Sequence, residues 1–294
     1  MIVQTSHEKL EMSSLSELLL FKELHTREMK WRGIELQNKY QFNVYENSPE
    51  IGIEIEVENI NKNPTTLFGW TLESDGSLRN NGIEFVSWIL KPTQIETAIN
   101  EVKRVLSPEH HFSPRTSVHI HMNCRDRTLM QIYNIVLLYQ CFEDLLFNFV
   151  GKSRKKSIFC TPVGNTNYYT SLKELLLRNK IPAWDKYTSL NLQRLTDLGT
   201  IEFRQLYGTL NEEKLYNWIK LLYDLYDYAI KYTTIELEAK ILQIDNNENY
   251  TAFGFDVFNS NFNLLAKDAY QKHMMADISI AKLYFTNSPK LIGL

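Results

Sequence analysis

The chain has 294 residues, of which 44% are hydrophobic, 12% aromatic and 23% charged, enough apolar side chains for a sizeable core. The aromatic content excludes a mainly disordered chain, and a formal net charge of -3 argues against a general nucleic-acid binder. Three cysteines without a CxxC pair exclude a disulfide framework and a structural zinc knot. No apolar leader and no run of ~20 apolar residues are present, so we expect a soluble protein of the cytoplasm.

The hydrophobic pattern predicts short strands separated by helices of unequal length. Alternating apolar and polar residues predict strands over 51–57, 82–89, 117–123, 189–192 and 200–207. Apolar residues at helical spacing predict helices over 14–31, 93–106, 126–150, 171–179 and from Asn211 onward. Since strands and helices do not alternate regularly, the pattern favours an α+β fold with an antiparallel sheet. We expect one domain over 1–294, with its motifs in 50–210 and a mainly helical part over 211–294.

The first of these strands carries two carboxylates on the same side. In the segment 53–57 (IEIEV), Glu54 and Glu56 point one way and the aliphatic residues point the other. Two strand rises put the carboxylates about 6.5 Å apart, where they repel by roughly 2.5 kcal/mol at an effective dielectric constant of 20. A divalent metal would relieve this repulsion, whereas a water-facing sheet surface is the simpler alternative.

Two more strands also place two ionisable side chains on one side of the strand. His119 and His121 share one side of their strand, and Glu202 and Arg204 share one side of theirs, with apolar residues behind. The histidines suit a metal or a phosphate, and the Glu–Arg pair suits a metal carboxylate beside a phosphate-binding guanidinium. The alternatives are histidines on an ordinary polar face and a simple ion pair.

A further carboxylate, Glu84, lies between apolar residues of a strand. Asp75, in the Asp-Gly segment that precedes this strand, is another acidic candidate, and the simpler interpretation is an ordinary turn. If all these strands adjoin in one sheet, their polar face forms an acidic cradle. Carboxylate-rich sites of this kind suit Mg²⁺ or Mn²⁺ better than zinc, and several carboxylates suit more than one ion and a polyphosphate.

The order and spacing of these motifs resemble the amidoligase family, the carboxylate–amine ligases of the glutamine synthetase and glutamate–cysteine ligase superfamily. The matching segments are 52–56 (GIEIE), 75–78 (DGSL), 82–87 (GIEFVS), 119–121 (HIH), 190–192 (LNL) and 200–204 (TIEFR). The resemblance implies a twisted antiparallel sheet shaped as a saddle, with helices on its outer face and with ATP and divalent metals on its concave face.

The resemblance also implies a role for each motif residue. The implied metal ligands are Glu54, Glu56, Glu84, His119 and Glu202. Arg204 is expected to contact the transferred phosphate, and His121 to lie near the nucleotide. Asp75 is an expected catalytic position, whose role is either in the metal shell or at the amine substrate. Asp75 or Glu58 would accept the proton that the amine loses. Arg154 and Cys160 lie in a stretch similar to the family, without an assigned role.

The implied reaction joins a carboxylate, in a small molecule or a peptide, to an amine through an acyl phosphate. The identity of both substrates, a modified nucleobase included, and the oligomeric state stay open, and no membrane partner is expected. Two other functions compete: a cupin-like metalloenzyme built on His119 and His121, and a non-catalytic nucleotide- or metal-binding protein of the same fold. The basic run 152–156 is either a solvated helix end or a contact for an anion.

Overall fold

The computed structural model describes residues 48–60, 67–106, 112–170, 172–178, 180, 183–266 and 271–286. The strands are β1 (Ile51–Val57), β2 (Trp70–Glu73), β3 (Ile83–Ser87), β4 (Ser117–Asn123), β5 (Leu190–Asn191) and β6 (Thr200–Tyr207). They pair antiparallel in the order β2-β3-β1-β4-β6-β5, as one open sheet. The prediction of mixed helices and strands around an antiparallel sheet is therefore confirmed. The helix predicted over 14–31 lies outside the described residues, and the single domain over 1–294 stays a prediction.

The helices follow most of the predicted segments. They are α1 (Ile95–Val105), α2 (Leu129–Val150), α3 (Leu172–Leu177), α4 (Glu212–Lys231), α5 (Thr234–Leu242), α6 (Asn247–Phe258), α7 (Phe262–Leu265) and α8 (Gln271–Thr286). The helical character of the chain after Asn211 is confirmed for its described residues. No helix in the described ranges has both the length and the apolar character that crossing a bilayer requires.

The predicted starts of two helices are wrong. α2 begins at Leu129 rather than at residue 126, because the Thr128 side chain accepts from the Gln131 backbone N–H while Gln131 Oε1 accepts from the Thr128 N–H. α1 begins at Ile95, after a 3-10 turn over Pro92–Gln94, because the proline takes the first position of that turn. The sequence pattern does not predict strand β2 (Trp70–Glu73), which the structure shows.

The sheet has one apolar and one polar face. The apolar side chains of β1, Ile53 and Ile55 among them, are fully buried in a core that extends to the C-terminal helices. In this core, the ring centroids of Tyr139 on α2 and Phe203 on β6 lie 6.0 Å apart. All three cysteines are free and buried, as expected without a disulfide framework. The helical layer thus supports the sheet from its apolar side and leaves the polar face for chemistry.

A buried carboxylate on α2 holds the chain that leads into β5. Glu143 accepts hydrogen bonds from the backbone N–H groups of Val163 (2.7 Å) and Gly164 (2.8 Å) and from Ser189 Oγ (2.7 Å). Ser189 directly precedes β5, so this carboxylate couples α2 to the far edge of the sheet. A side chain without acceptors would leave these buried donors unpaired.

We expect Glu143→Ala to lower the free energy of unfolding by about 2 kcal/mol or more, because buried N–H groups would lose their acceptor. Urea unfolding followed by far-UV circular dichroism measures the change. Glu213→Ala, at an exposed position of α4, should shift the free energy by less than ~0.5 kcal/mol. Equal effects of the two substitutions would show that the Glu143 contacts do not stabilise the fold.

Candidate active site

The strand register brings the polar side chains of distant motifs side by side. Glu54 on the central strand β1 lies opposite His119 of β4, and Glu56 lies opposite Glu84 of β3. On the other side of β4, His121 lies opposite Glu202 of β6. Because facing residues of paired strands point to the same side of a sheet, the side chains of four motifs meet on one face.

His119 is at the centre of this arrangement. Its Nδ1 lies 3.1 Å from Glu54 Oε2 and 3.3 Å from Glu202 Oε1. Its Nε2 lies 3.8 Å from Glu56 Oε1 and 2.8 Å from Ser117 Oγ, which donates to Glu56 Oε2 at 2.6 Å. One imidazole ring therefore touches the carboxylates of both neighbouring strands.

The polar face is buried rather than wet. Glu54 is 6% exposed, Glu56 3% and Glu202 0%, which contradicts the water-facing surface considered from the sequence. Burial of anionic carboxylates is costly unless cations or hydrogen bonds compensate them. The face therefore needs positive charge.

Two overlapping groups of side chains fit a divalent cation. Glu54, His119 and Glu202 form one group, and Glu56, Glu84 and His119 form the other; within each, the candidate ligand atoms all lie within 4.8 Å of one another. Each group combines two carboxylates with one imidazole, a donor set that suits Mg²⁺ or Mn²⁺. All five predicted metal ligands thus lie in these two groups, and the residues fit the ions that the family resemblance implies.

Opposite charges set the protonation of the Glu202 side of the face. Burial opposes ionisation of Glu54, but His121 and His119 hold its pKa well below the usual range. Burial likewise opposes ionisation of Glu202, and the Arg204 guanidinium, followed by the two histidines, lowers its pKa. These carboxylates are therefore charged at neutral pH.

Glu84 behaves in the opposite way. Burial, followed by the negative charges of Glu54, Glu56, Asp75 and Glu73, raises the pKa of its carboxyl group to about 9. The β2–β3 side of the face is thus crowded with anions, whereas the β6 side carries arginines. The two sides differ in charge across one sheet.

Three contacts to Glu202 complete the β6 side. Arg204 Nη1 pairs with Glu202 Oε1, and Asn191 Nδ2 donates to Glu202 Oε2 at 2.6 Å. Arg194 Nε lies 3.7 Å from the same Oε2. Sequence reasoning missed two site residues. Arg194 lies outside the predicted strands, and Ser117, which shares a strand face with His119 and His121, was not assigned a role. Asn191 stood in a matching motif without a role.

His121 is separate from both candidate metal groups in the described residues. Its Nε2 lies 3.1 Å from Glu54 Oε1, and its Nδ1 lies 3.0 Å from Thr200 Oγ1. With Arg125 and Gly52 it lines a narrow, mostly apolar cleft of about 60 Å³ that reaches Glu54. The two histidines therefore have different surroundings, which disfavours a metal site built on both, as a cupin-like enzyme would need.

The remaining candidate residues lie around this face. Asp75 Oδ1 accepts from the Ser77 N–H at 2.6 Å, as in an ordinary Asp turn, while its charge reaches Glu84. Glu58 is buried and accepts from the Arg79 N–H at 2.9 Å, so one of its oxygens is engaged in holding the β2–β3 connection. Burial raises the pKa of the Cys160 thiol to about 11, which argues against a nucleophile.

A family model described as "Putative amidoligase enzyme" matches residues 50–225, more than half of the chain. The matched region includes all six strands and every predicted metal ligand. No curated protein matches the chain. The family identified from the order of the motifs is therefore confirmed by an independent comparison.

The raised pKa of Glu84 leads to a test on the metal-free protein. The folded protein holds this proton more tightly than the unfolded chain does, so the contribution of Glu84 to stability falls as the pH rises from about 5 towards 9. Glu84→Gln should remove that fall and stabilise the protein at pH 8.5 by about 1–2 kcal/mol relative to its effect at pH 5, given the partial exposure of the side chain.

Urea unfolding with a chelator present, at pH 5, 7 and 8.5, measures this difference. Glu248→Gln, at an exposed position of α6, should follow the wild-type pH dependence. A constant difference between wild type and Glu84→Gln across the three pH values would mean that Glu84 is already ionised in the metal-free protein.

Proposed function

The chain belongs to the amidoligase family, and we propose that it is an ATP-dependent carboxylate–amine ligase that works through an acyl phosphate with Mg²⁺ or Mn²⁺. Family membership supports an amide-forming ligase. The observation that supports the finer proposal is the pair of overlapping carboxylate–imidazole groups on one buried sheet face, with an arginine beside them. We further propose that this sheet has the saddle form of the glutamine synthetase catalytic domain.

The proposed reaction has two steps. An oxygen of the acid's carboxylate attacks the γ-phosphorus of ATP, and the bond from that phosphorus to the ADP oxygen breaks. The nitrogen lone pair of the amine then attacks the acyl carbon, a C–N bond forms, and phosphate leaves with the electron pair of the C–O bond. The amine also loses a proton, which a carboxylate of the site accepts.

The chain's own residues have separate tasks in this scheme. The residues that would hold the cations are Glu54, Glu56, Glu84, His119 and Glu202. Divalent cations bound there would neutralise phosphate charge, so that an anionic carboxylate can approach an anionic phosphate. Arg204 and Arg194 add fixed positive charge on the β6 side, where Arg204 would contact the transferred phosphate.

We propose, from the charge difference across the sheet, where the substrates bind. ATP and the acid are anionic and suit the β4–β6 side, where Arg194, Arg204 and His121 lie. The amine suits the β2–β3 side, where the negative charges of Glu73 and Asp75 lie close enough to raise the pKa of Glu84. Asp75 is the proposed acceptor of the amine's proton on that side.

The direct test is release of ADP and phosphate from ATP in the presence of panels of acids and amines. We expect release to require Mg²⁺ or Mn²⁺ together with one acid and one amine, and mass spectrometry should detect the amide. Turnover of ATP that ignores both panels, or tight binding of a single Zn²⁺ or Fe²⁺ without ATP turnover, would overturn the proposal.

We expect Glu54→Gln and Glu202→Gln each to reduce kcat/KM for ATP by at least ~10²-fold, because each removes a charged ligand atom from the first cation group. The substituted proteins should still fold, as thermal unfolding would show. Glu213→Gln on α4 should keep wild-type kinetics. Wild-type rates in either active-site variant would refute the metal assignment.

Arg204→Lys should lower kcat by about 10-fold or more with a smaller change in KM for ATP, because lysine keeps the charge but lacks the forked donors. Steady-state kinetics with saturating acid and amine measure the split. A change confined to KM would assign Arg204 to ground-state nucleotide binding alone.

A further inference from the structure

The strand that carries Glu202 and Arg204 contains a β-bulge. Val118 of β4 pairs with Leu206, whereas Ile120 pairs with Phe203, so two steps along β4 correspond to three along β6. The extra residue falls at 204–205, at Arg204 itself or at its neighbour. A bulge disrupts the ladder locally and redirects nearby side chains, so the position of Arg204 depends on what fixes the backbone there.

Arg154 supplies hydrogen bonds to this bulge. Its Nη2 donates to the Arg204 carbonyl at 3.0 Å, and its Nε donates to the Gln205 carbonyl at 3.2 Å. One guanidinium therefore links two consecutive carbonyls, an arrangement that matches the separate, coplanar Nε and Nη donors of arginine. The Arg204 N–H donates to the Ser189 carbonyl at 2.9 Å, so the bulge is held from both sides.

The environment of Arg154 is unusual for a cation. Its side chain is only 3% exposed, and among the described residues no carboxylate lies within ion-pair distance of it. Its Nη1 has no hydrogen-bond partner within the described part of the chain. Lys152 and Lys156 of the same basic run are exposed, so Arg154 alone among these three residues is turned into the fold.

Arg154 and Arg204 both lie close enough to Cys160 to affect its pKa. Burial raises the pKa of the nearby Cys160 thiol, while the positive charges of Arg154 and then Arg204 work in the lowering direction. Arg154 holds the backbone of Arg204 through hydrogen bonds that involve none of the candidate metal ligands.

We infer that Arg154 is a positioning residue, which holds the β6 bulge so that the Arg204 guanidinium stays beside Glu202 and faces the phosphate. This inference rests on the proposed ligase function for its kinetic consequence. Its structural part, the clamp on the bulge, concerns the protein without substrates.

The test compares Arg154→Met, Arg154→Lys and Lys156→Met, the last removing the same charge from the same turn at an exposed position. We expect Arg154→Met to lower kcat for amide formation by about 10–100-fold while KM for ATP changes less than ~3-fold. Arg154→Lys should recover only part of this loss, because the lysine ammonium lacks the two separate coplanar donors that arginine directs at the two carbonyls. Lys156→Met should match wild type.

Two readouts separate positioning from general support of the fold. In the double variant Arg154→Met/Arg204→Lys, kcat should be about that of Arg204→Lys alone, since both changes disable the same group. Hydrogen exchange of the substrate-free proteins should show faster exchange at 203–206 in both Arg154 variants and unchanged exchange in Lys156→Met. If Arg154→Met fails to fold, Arg154→Lys carries both measurements.

Several results would overturn the inference: wild-type kcat and wild-type exchange in the Arg154 variants, full rescue by lysine, or effects of the Arg154 and Arg204 changes that multiply. If the wild-type protein shows no ligase activity with any acid and amine, the proposed function fails separately. The exchange experiment then still decides whether Arg154 holds the bulge.

Discussion

The burial of several carboxylates on one sheet face is the constraint on which the rest of the structure depends. Glu54, Glu56 and Glu202 are almost fully removed from water, where an unpaired negative charge costs several kcal/mol. Histidines and arginines from the neighbouring strands compensate part of this charge, and the remainder makes a place for cations. The rigid helical layer on the other face is what keeps such mutually repelling groups together.

The order of the strands brings residues that are far apart in the sequence together in one site. β1 lies in the middle of the sheet and contributes two carboxylates, while β3 on one side and β4 and β6 on the other bring residues from up to about 150 positions away. A change of one residue in any register would turn these side chains into the core. The site therefore depends on sheet register more than on any single contact.

The sequence was sufficient for the parts that depend on local pattern. Strict alternation predicted β1, β4 and the polar faces that carry the candidate ligands, and the order of the motifs identified the family. It could not predict that both faces are buried, because burial of Glu54 depends on what covers the sheet. Ser117 and Arg194 acquire their roles from neighbours that are distant in sequence, and the bulge at 204–205 exists only in the pairing of β6 with β4.

The raised pKa of Glu84 has a consequence for how the charge of the pocket varies. At neutral pH the metal-free site stores a proton on this carboxyl group, and a divalent cation bound there would displace it. The local charge would then change by one unit instead of two. Such a proton–cation exchange would make the change in electrostatic potential at the sheet face smaller than the charge of the cation alone implies.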